Sequence, residues 1–267
     1  MAKDIIARLK EMAADPDRLW LQDGPVSYAG LLAETGRLAQ ALLALGLGKG
    51  DRLLLQVEKS EAVLTLYLAC LRTGVVFLPV NPGYTLAETE HFLNDAKPAL
   101  AVTDPAREAG LSSLGARAMT LDVLLALAAA QGEDFADPAH GPDDLAAILY
   151  TSGTTGRSKG VMLSRRNLAS NAEALVGLWR FTEADVLLHA LPVFHTHGLF
   201  VATNRVLCSG ASMIFQRSFN PAAVHAALPK ATAMMGVPTF YTRLLADPGL
   251  TKAATAHMRL FISGSAP

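Results

Sequence analysis

The feature that most constrains this chain is a repeated change of hydrophobic period. Segments with apolar residues at helical spacing alternate with short, continuous apolar runs. After Ser27, the residues Tyr28, Leu31, Leu32, Leu38, Leu42 and Leu45 follow a helical spacing, and Gly46 stops the pattern. Gly48-Lys49-Gly50-Asp51 is a turn, and Leu53-Leu54-Leu55-Gln56-Val57 reads as a buried strand. A helix from Glu61 to Arg72, a strand from Val75 to Val80, the turn Asn81-Pro82-Gly83, a helix around Leu86 to Asn94 and a strand from Ala99 to Val102 follow. Helices between apolar strands require crossover connections, so the expected class is α/β: layered subdomains with largely parallel sheets covered by helices.

Residues 132–144 are polar and rich in helix and strand breakers, which marks them as the expected linker. It separates a first subdomain at 1–131 from a second at 145–267. There the alternation resumes: strands at Ala146 to Tyr150, Val186 to Ala190, Ser212 to Phe215, Ala233 to Gly236 and Arg259 to Ser263. Helices are expected at Asn167 to Trp179, Gly198 to Leu207, Pro221 to Leu228 and Pro238 to Leu245. The chain stops as a strand enters a Gly-Ser turn, a place where α/β proteins build ligand sites, so a truncated chain is expected.

Composition narrows the partners. With 51% hydrophobic residues the chain has material for a sizeable core, and 23 basic residues nearly cancel 24 acidic ones. No run of like charge points to nucleic acid or an anionic membrane surface. Cys70 and Cys208 sit in apolar stretches and read as buried free thiols of a reducing compartment. The N-terminus is not a signal peptide, and the longest apolar stretch, Ala62 to Val80, is broken by Arg72, Gly74 and Pro79. A cytoplasmic protein without a membrane span is expected.

The chemistry is concentrated in Thr151-Ser152-Gly153-Thr154-Thr155-Gly156-Arg157-Ser158-Lys159-Gly160, directly after the strand that ends at Tyr150. Glycines let a backbone approach an anion with its N–H groups turned inward. Adjacent hydroxyls add donors, and Lys159 adds a positive charge. Thr151, Ser152, Gly153, Thr154, Thr155, Gly156 and Lys159 are therefore candidate ligands for a nucleotide's phosphates. The spacing is not that of a Walker A loop, because Ser158 stands where its second glycine is required, and it does not fit G-x-G-x-x-G.

This run resembles the phosphate-binding signature of the adenylate-forming superfamily of acyl-CoA synthetases, luciferases and peptide-synthetase adenylation domains. Ser158 departs from the proline that many members carry. The resemblance extends along the chain, through Gly50-Asp51-Arg52, Tyr84-Thr85-Leu86, the Pro192-Val193-Phe194-His195 motif and Ser263-Gly264-Ser265-Ala266-Pro267. It implies ATP-dependent activation of a carboxylic acid to an acyl-AMP, then transfer to coenzyme A, with AMP and pyrophosphate released.

On this resemblance Lys159 and His195 are the catalytic candidates. Gly264, Ser265, Ala266 and Pro267 are the adenine-binding candidates, and His195, Thr196, Arg243 and Ser265 line the acid site. His197 is a weaker pocket-lining candidate. Mg²⁺ is expected to arrive on ATP, with Thr151 or Thr155 as its candidate protein ligands.

The segment Val237 to Leu245 closely resembles malonyl-CoA synthetases, in which an arginine at the position of Arg243 pairs with the distal carboxylate of malonate. A guanidinium fork suits such a carboxylate, whereas a fatty-acyl pocket would not tolerate an unpaired buried arginine. Malonate is the leading substrate, a medium- or long-chain fatty acid the nearest alternative, and a nucleotide or acyl sensor without turnover the alternative of another class. A P-loop ATPase, which would make ADP, is disfavoured by the spacing around Lys159. The metal-binding glutamate segment and the small C-terminal domain expected of the family would follow Pro267, so this stretch alone is expected to lack full activity.

Overall fold

The computed structural model describes residues 2–151 and 158–265. In chain order its regular elements begin with α1 (Ile5–Ala13), β1 (Leu19–Leu21), β2 (Val26–Ser27), α2 (Tyr28–Ala44), β3 (Arg52–Gln56), α3 (Glu61–Thr73), β4 (Val76–Pro79) and α4 (Leu86–Ala96). Next come β5 (Leu100–Thr103), α5 (Pro105–Ser113), β6 (Ala118–Thr120), α6 (Leu121–Ala129), β7 (Leu145–Thr151), β8 (Lys159–Ser164), α7 (Arg165–Leu178) and β9 (Val186–His189). A π-helix (His197–Asn204) runs into α8 (Arg205–Ser209), followed by β10 (Ser212–Phe215), α9 (Pro221–Ala227), β11 (Ala233–Gly236), α10 (Pro238–Leu245) and β12 (Leu260–Ser263).

Two six-stranded sheets result among the described residues, in the orders β6-β5-β3-β4-β7-β8 and β12-β11-β9-β10-β1-β2. Every pairing is parallel except β7 with β8 and β1 with β2. The expected α/β class with largely parallel sheets is what the chain forms. Among the described residues no helix is long and apolar enough to cross a membrane.

The chain divides into two compact units. The continuous unit is Leu32–Leu168, and the split unit combines Met1–Leu31 with Ala169–Pro267. The polar stretch 132–144 lies inside the continuous unit. Arg72, on α3 and only 3% exposed, reaches it with Nε on the Asp137 carboxylate at 2.7 Å and Nη2 on the Phe135 carbonyl at 2.9 Å. Its Nη1 bonds Leu32 O and Thr35 Oγ1 of α2 at 2.9 and 3.1 Å. One buried fork thus ties the segment to two helices. Gly74 closes α3 in the left-handed region at φ 80°, where a Cβ would come within 2.7 Å of the His140 ring.

The core of the continuous unit gathers Leu54, Val76, Leu78, Phe92, Ala101 and Leu111. Its strands are apolar end to end because helices cover both faces. In the split unit Leu188, Ile214, Met234, Val224, Leu228 and Leu244 do the same. There β1 lies beside β10 with Leu21 opposite Met213, and the buried Tyr28 hydroxyl sits 2.7 and 2.9 Å from the carbonyl oxygens of Ala211 and Val206.

Candidate active site

In the continuous unit, the phosphate-loop sequence turns out to connect two antiparallel strands. The sequence pattern predicts no strand between Tyr150 and the helix expected from Asn167. The structure adds β8, whose residues pair with β7 in the register Leu149↔Val161, Tyr150↔Gly160 and Thr151↔Lys159. Thr151 and Lys159 are consequently direct partners, both exposed, at the open end of the hairpin. Ser152, Gly153, Thr154, Thr155 and Gly156 lie outside the described residues.

Sequence reasoning missed the groups that hold the hairpin end. The Tyr150 hydroxyl donates to Asp95 Oδ2 on α4 at 2.5 Å, and burial followed by this carboxylate raises the phenol's pKa. Its ring packs on Phe92 at 4.5 Å between centroids and meets His91 edge-on at 6.0 Å. His91 Nε2 lies 3.1 Å from the carbonyl oxygen of Ser158. A carbonyl can only accept, so Nε2 carries the proton. A cavity of about 620 Å³ opens here, lined by Tyr84, Glu88, His91, Phe92, Asn94 and Ser158 among others. No signal short of the fold could reveal these contacts, because 55 residues separate Tyr150 from Asp95.

In the split unit the other described candidates follow the carboxyl ends of neighbouring parallel strands. From β9 the chain moves to β10 on one side, while β11 lies on the other side and continues to β12. Loops leaving the carboxyl ends of β9 and β11 therefore diverge, and such a reversal creates a ligand crevice. His195 and Thr196 follow β9, Arg243 rides on α10 after β11, and Gly264 and Ser265 follow β12.

The β9 exit is held by Gly198. Its carbonyl accepts from His189 Nε2 at 2.8 Å and from Thr203 Oγ1 at 3.1 Å. A Cβ on Gly198 would fall 2.0 Å from the Pro192 carbonyl oxygen, so only glycine permits this approach. The helix expected from Gly198 begins as a π-helix, a geometry frequent at functional sites.

The two histidines diverge. His195 is exposed, with its ring 4.3 Å from that of Phe194, and partial desolvation lowers its pKa, leaving it neutral at pH 7. Thr196 is exposed beside it. His197 is buried, and burial together with the Arg205 charge lowers its pKa as well. Among the described residues no group of three His, Cys, Asp or Glu side chains could hold a metal ion.

Arg243 is exposed, its guanidinium 4.9 Å above the Phe219 ring, and Phe219 stacks on Phe240 at 3.8 Å and 11°. No carboxylate among the described residues pairs with it. The Tyr241 hydroxyl fastens α10 to the sheet, lying 2.6 Å from Ile262 O and 3.2 Å from Met234 O. Gly264 N–H donates to Gly236 O at 3.2 Å, and Ser265 adopts φ 63°, which non-glycine residues seldom do. Ala266 and Pro267 lie outside the described residues.

Residues 10–267 match the AMP-binding enzyme family. A crystal structure of ATP-bound MatB from Rhodopseudomonas palustris superposes with TM-score 0.94 at 51% identity, covering 100% of this chain and 56% of that one. A feruloyl-CoA synthase of an Amycolatopsis species is 32% identical over 91% of this chain and 50% of its own length. An oxalate–CoA ligase of Arabidopsis thaliana is 32% identical over 80% of this chain and 45% of its own. The chain spans about half the length of the curated relatives it matches.

Proposed function

Since this chain belongs to the AMP-binding enzyme family, we propose that the whole protein activates malonate with ATP, forming malonyl-AMP, and passes the acyl group to coenzyme A. The observation that carries the choice of acid is Arg243. Its guanidinium is exposed on the helix that follows β11, it is steadied on the Phe219–Phe240 stack, and it has no carboxylate partner among the described residues. A short second carboxylate would complete it as a planar fork. The likeness to the ATP-bound MatB and to an oxalate–CoA ligase supports a small-acid ligase.

A carboxylate is a poor electrophile, and adenylation makes it reactive. The acid's oxygen attacks the α-phosphorus of ATP, the bond to the β-phosphate oxygen breaks, and pyrophosphate leaves. Catalysis then consists mainly of alignment and of meeting charge where it develops. Lys159 would meet the charge of the departing phosphates, beside the hydroxyl of Thr151 and the 152–156 donors. Mg²⁺, bound through ATP oxygens, would supply Lewis-acid neutralisation there. His195, neutral near pH 7, would hydrogen-bond the reacting carboxylate without neutralising it. Arg243 would hold the distal carboxylate, and Gly264 and Ser265, with Ala266 and Pro267, would lie along the adenine. The thiol of coenzyme A then attacks the acyl carbon and AMP leaves.

Product analysis on the whole protein tests this reading. ATP, coenzyme A and malonate should give AMP and pyrophosphate, with malonate preferred over octanoate in direct competition. Arg243→Ala should raise the malonate KM by about a hundredfold, the scale of losing one bidentate charged pair, with the ATP KM unchanged. Preference for octanoate would overturn malonate, production of ADP would overturn the reaction class, and ATP binding without turnover would leave a sensor.

A further inference from the structure

We propose that the face of α4 bearing His91, Phe92 and Asp95 positions the β7–β8 hairpin for ATP, clamping the strand that enters the phosphate loop and the strand that leaves it. This rests on the reading of Lys159 as a phosphate ligand. His91 and Asp95 are one helical turn apart and so share a face. Asp95 takes the Tyr150 hydroxyl on the incoming side, and His91 gives Nε2–H to the Ser158 carbonyl on the outgoing side. Phe92, between them in sequence, fills the space under Tyr150.

The clamp has a fixed base. Thr85 and Glu88 form a capping box that sets the start of α4. Gln56, buried at the end of β3, donates to the carbonyls of Asn81 and Tyr84 and accepts from Thr89 Oγ1. α4 is therefore tied to a central strand of the sheet by side chains that are themselves buried.

Of the two hairpin strands only β7 is flanked on both sides in the sheet. β8 is the edge strand, and it leaves Val161 and Met162 at 43% and 70% exposure. Its end, where Lys159 faces Thr151, can fray at little cost to the rest of the fold, as lightly packed edges do. The contacts to α4 hold Tyr150 and Ser158 on both sides of that end. Removing one should free Lys159 without unfolding the unit, so the loss should appear in the use of ATP and not in stability. His91 and Asp95 are positioning residues in this scheme, since neither is asked to touch ATP.

Steady-state kinetics of the whole protein with His91→Ala, His91→Gln and Tyr150→Phe test the clamp. His91→Ala and Tyr150→Phe should each raise the ATP KM about three- to tenfold, the usual effect of one hydrogen bond. The KM for the carboxylic acid and the thermal midpoint should stay at wild-type values. Gln, whose amide N–H can reach the same carbonyl, should restore most of the loss. An unchanged ATP KM in both variants would overturn the clamp. So would an equal rise in both KM values with a lowered thermal midpoint, or failure of Gln to restore. If the wild type makes ADP, the functional reading itself falls, whereas AMP production with wild-type kinetics in the variants sinks the clamp alone.

Discussion

Replacing Arg72 by methionine keeps an aliphatic stem of similar length and removes only the guanidinium. That group is 3% exposed and makes four hydrogen bonds, to Asp137, Leu32 O, Thr35 Oγ1 and Phe135 O, besides lying 5.1 Å over the Phe135 ring. Losing one partner of a buried ion pair costs about 3–5 kcal/mol. The bond to Asp137 alone accounts for about 1.5–3 kcal/mol of this, and the three neutral acceptors account for the remainder. Tryptophan fluorescence would miss the effect, since Trp20 and Trp179 both belong to the split unit. Amide hydrogen exchange on peptides from α3 and from 132–138 reads the right place. At about 1.36 kcal/mol per tenfold, exchange there should accelerate by roughly two to four powers of ten. Arg72→Lys should fall between, because it keeps the charge and loses the fork. Acceleration below about fivefold in the methionine variant would refute the view that this arginine fastens 132–144 to α2 and α3.

Gly198→Ala puts a methyl 2.0 Å from the Pro192 carbonyl, so the backbone ahead of His195 must move. A stability loss of about 1–3 kcal/mol, the usual result of overpacking, is expected in a thermal melt, with kcat/KM falling further than the folded fraction does. For His195, desolvation favours the neutral ring. The unfolded chain therefore takes up the proton first, as pH falls through the ordinary value of 6.5, and the folded state loses stability from there down to the lowered pKa. The pH profile of kcat/KM should show an acid limb whose midpoint lies below 6.5 and that His195→Gln abolishes, and a midpoint above 6.5 would contradict this.

The α/β class was legible because its cause is local. Fully covered parallel strands must be apolar throughout, as in Leu53–Leu55 and Leu187–Leu188, and the helices between them must carry a 3.6-residue period. Most expected elements recur within a residue or two. The elements the sequence reading does not assign are the nine-residue helices α1, α5 and α6, the strands β1, β2 and β6 of two or three residues each, and β8, which exposes Val161 and Met162 where a buried strand would hide them. A strand at an edge, held by one neighbour, writes little into its own sequence.

The candidate site divides in the same way. The glycine- and hydroxyl-rich run after Tyr150, the His195 motif and Arg243 could be read off because their chemistry depends on residue type and short spacing. The hairpin register that sets Thr151 opposite Lys159, the stacking of Phe219 and Phe240 beneath Arg243, and the hold of Asp95 and His91 on the two ends of the loop could not. Except for the hairpin pair, those contacts join residues more than twenty positions apart, and their partners become neighbours only when the sheets pair and the crossover helices pack upon them. Local pattern determined which groups are available for chemistry, and long-range packing decided which of them meet.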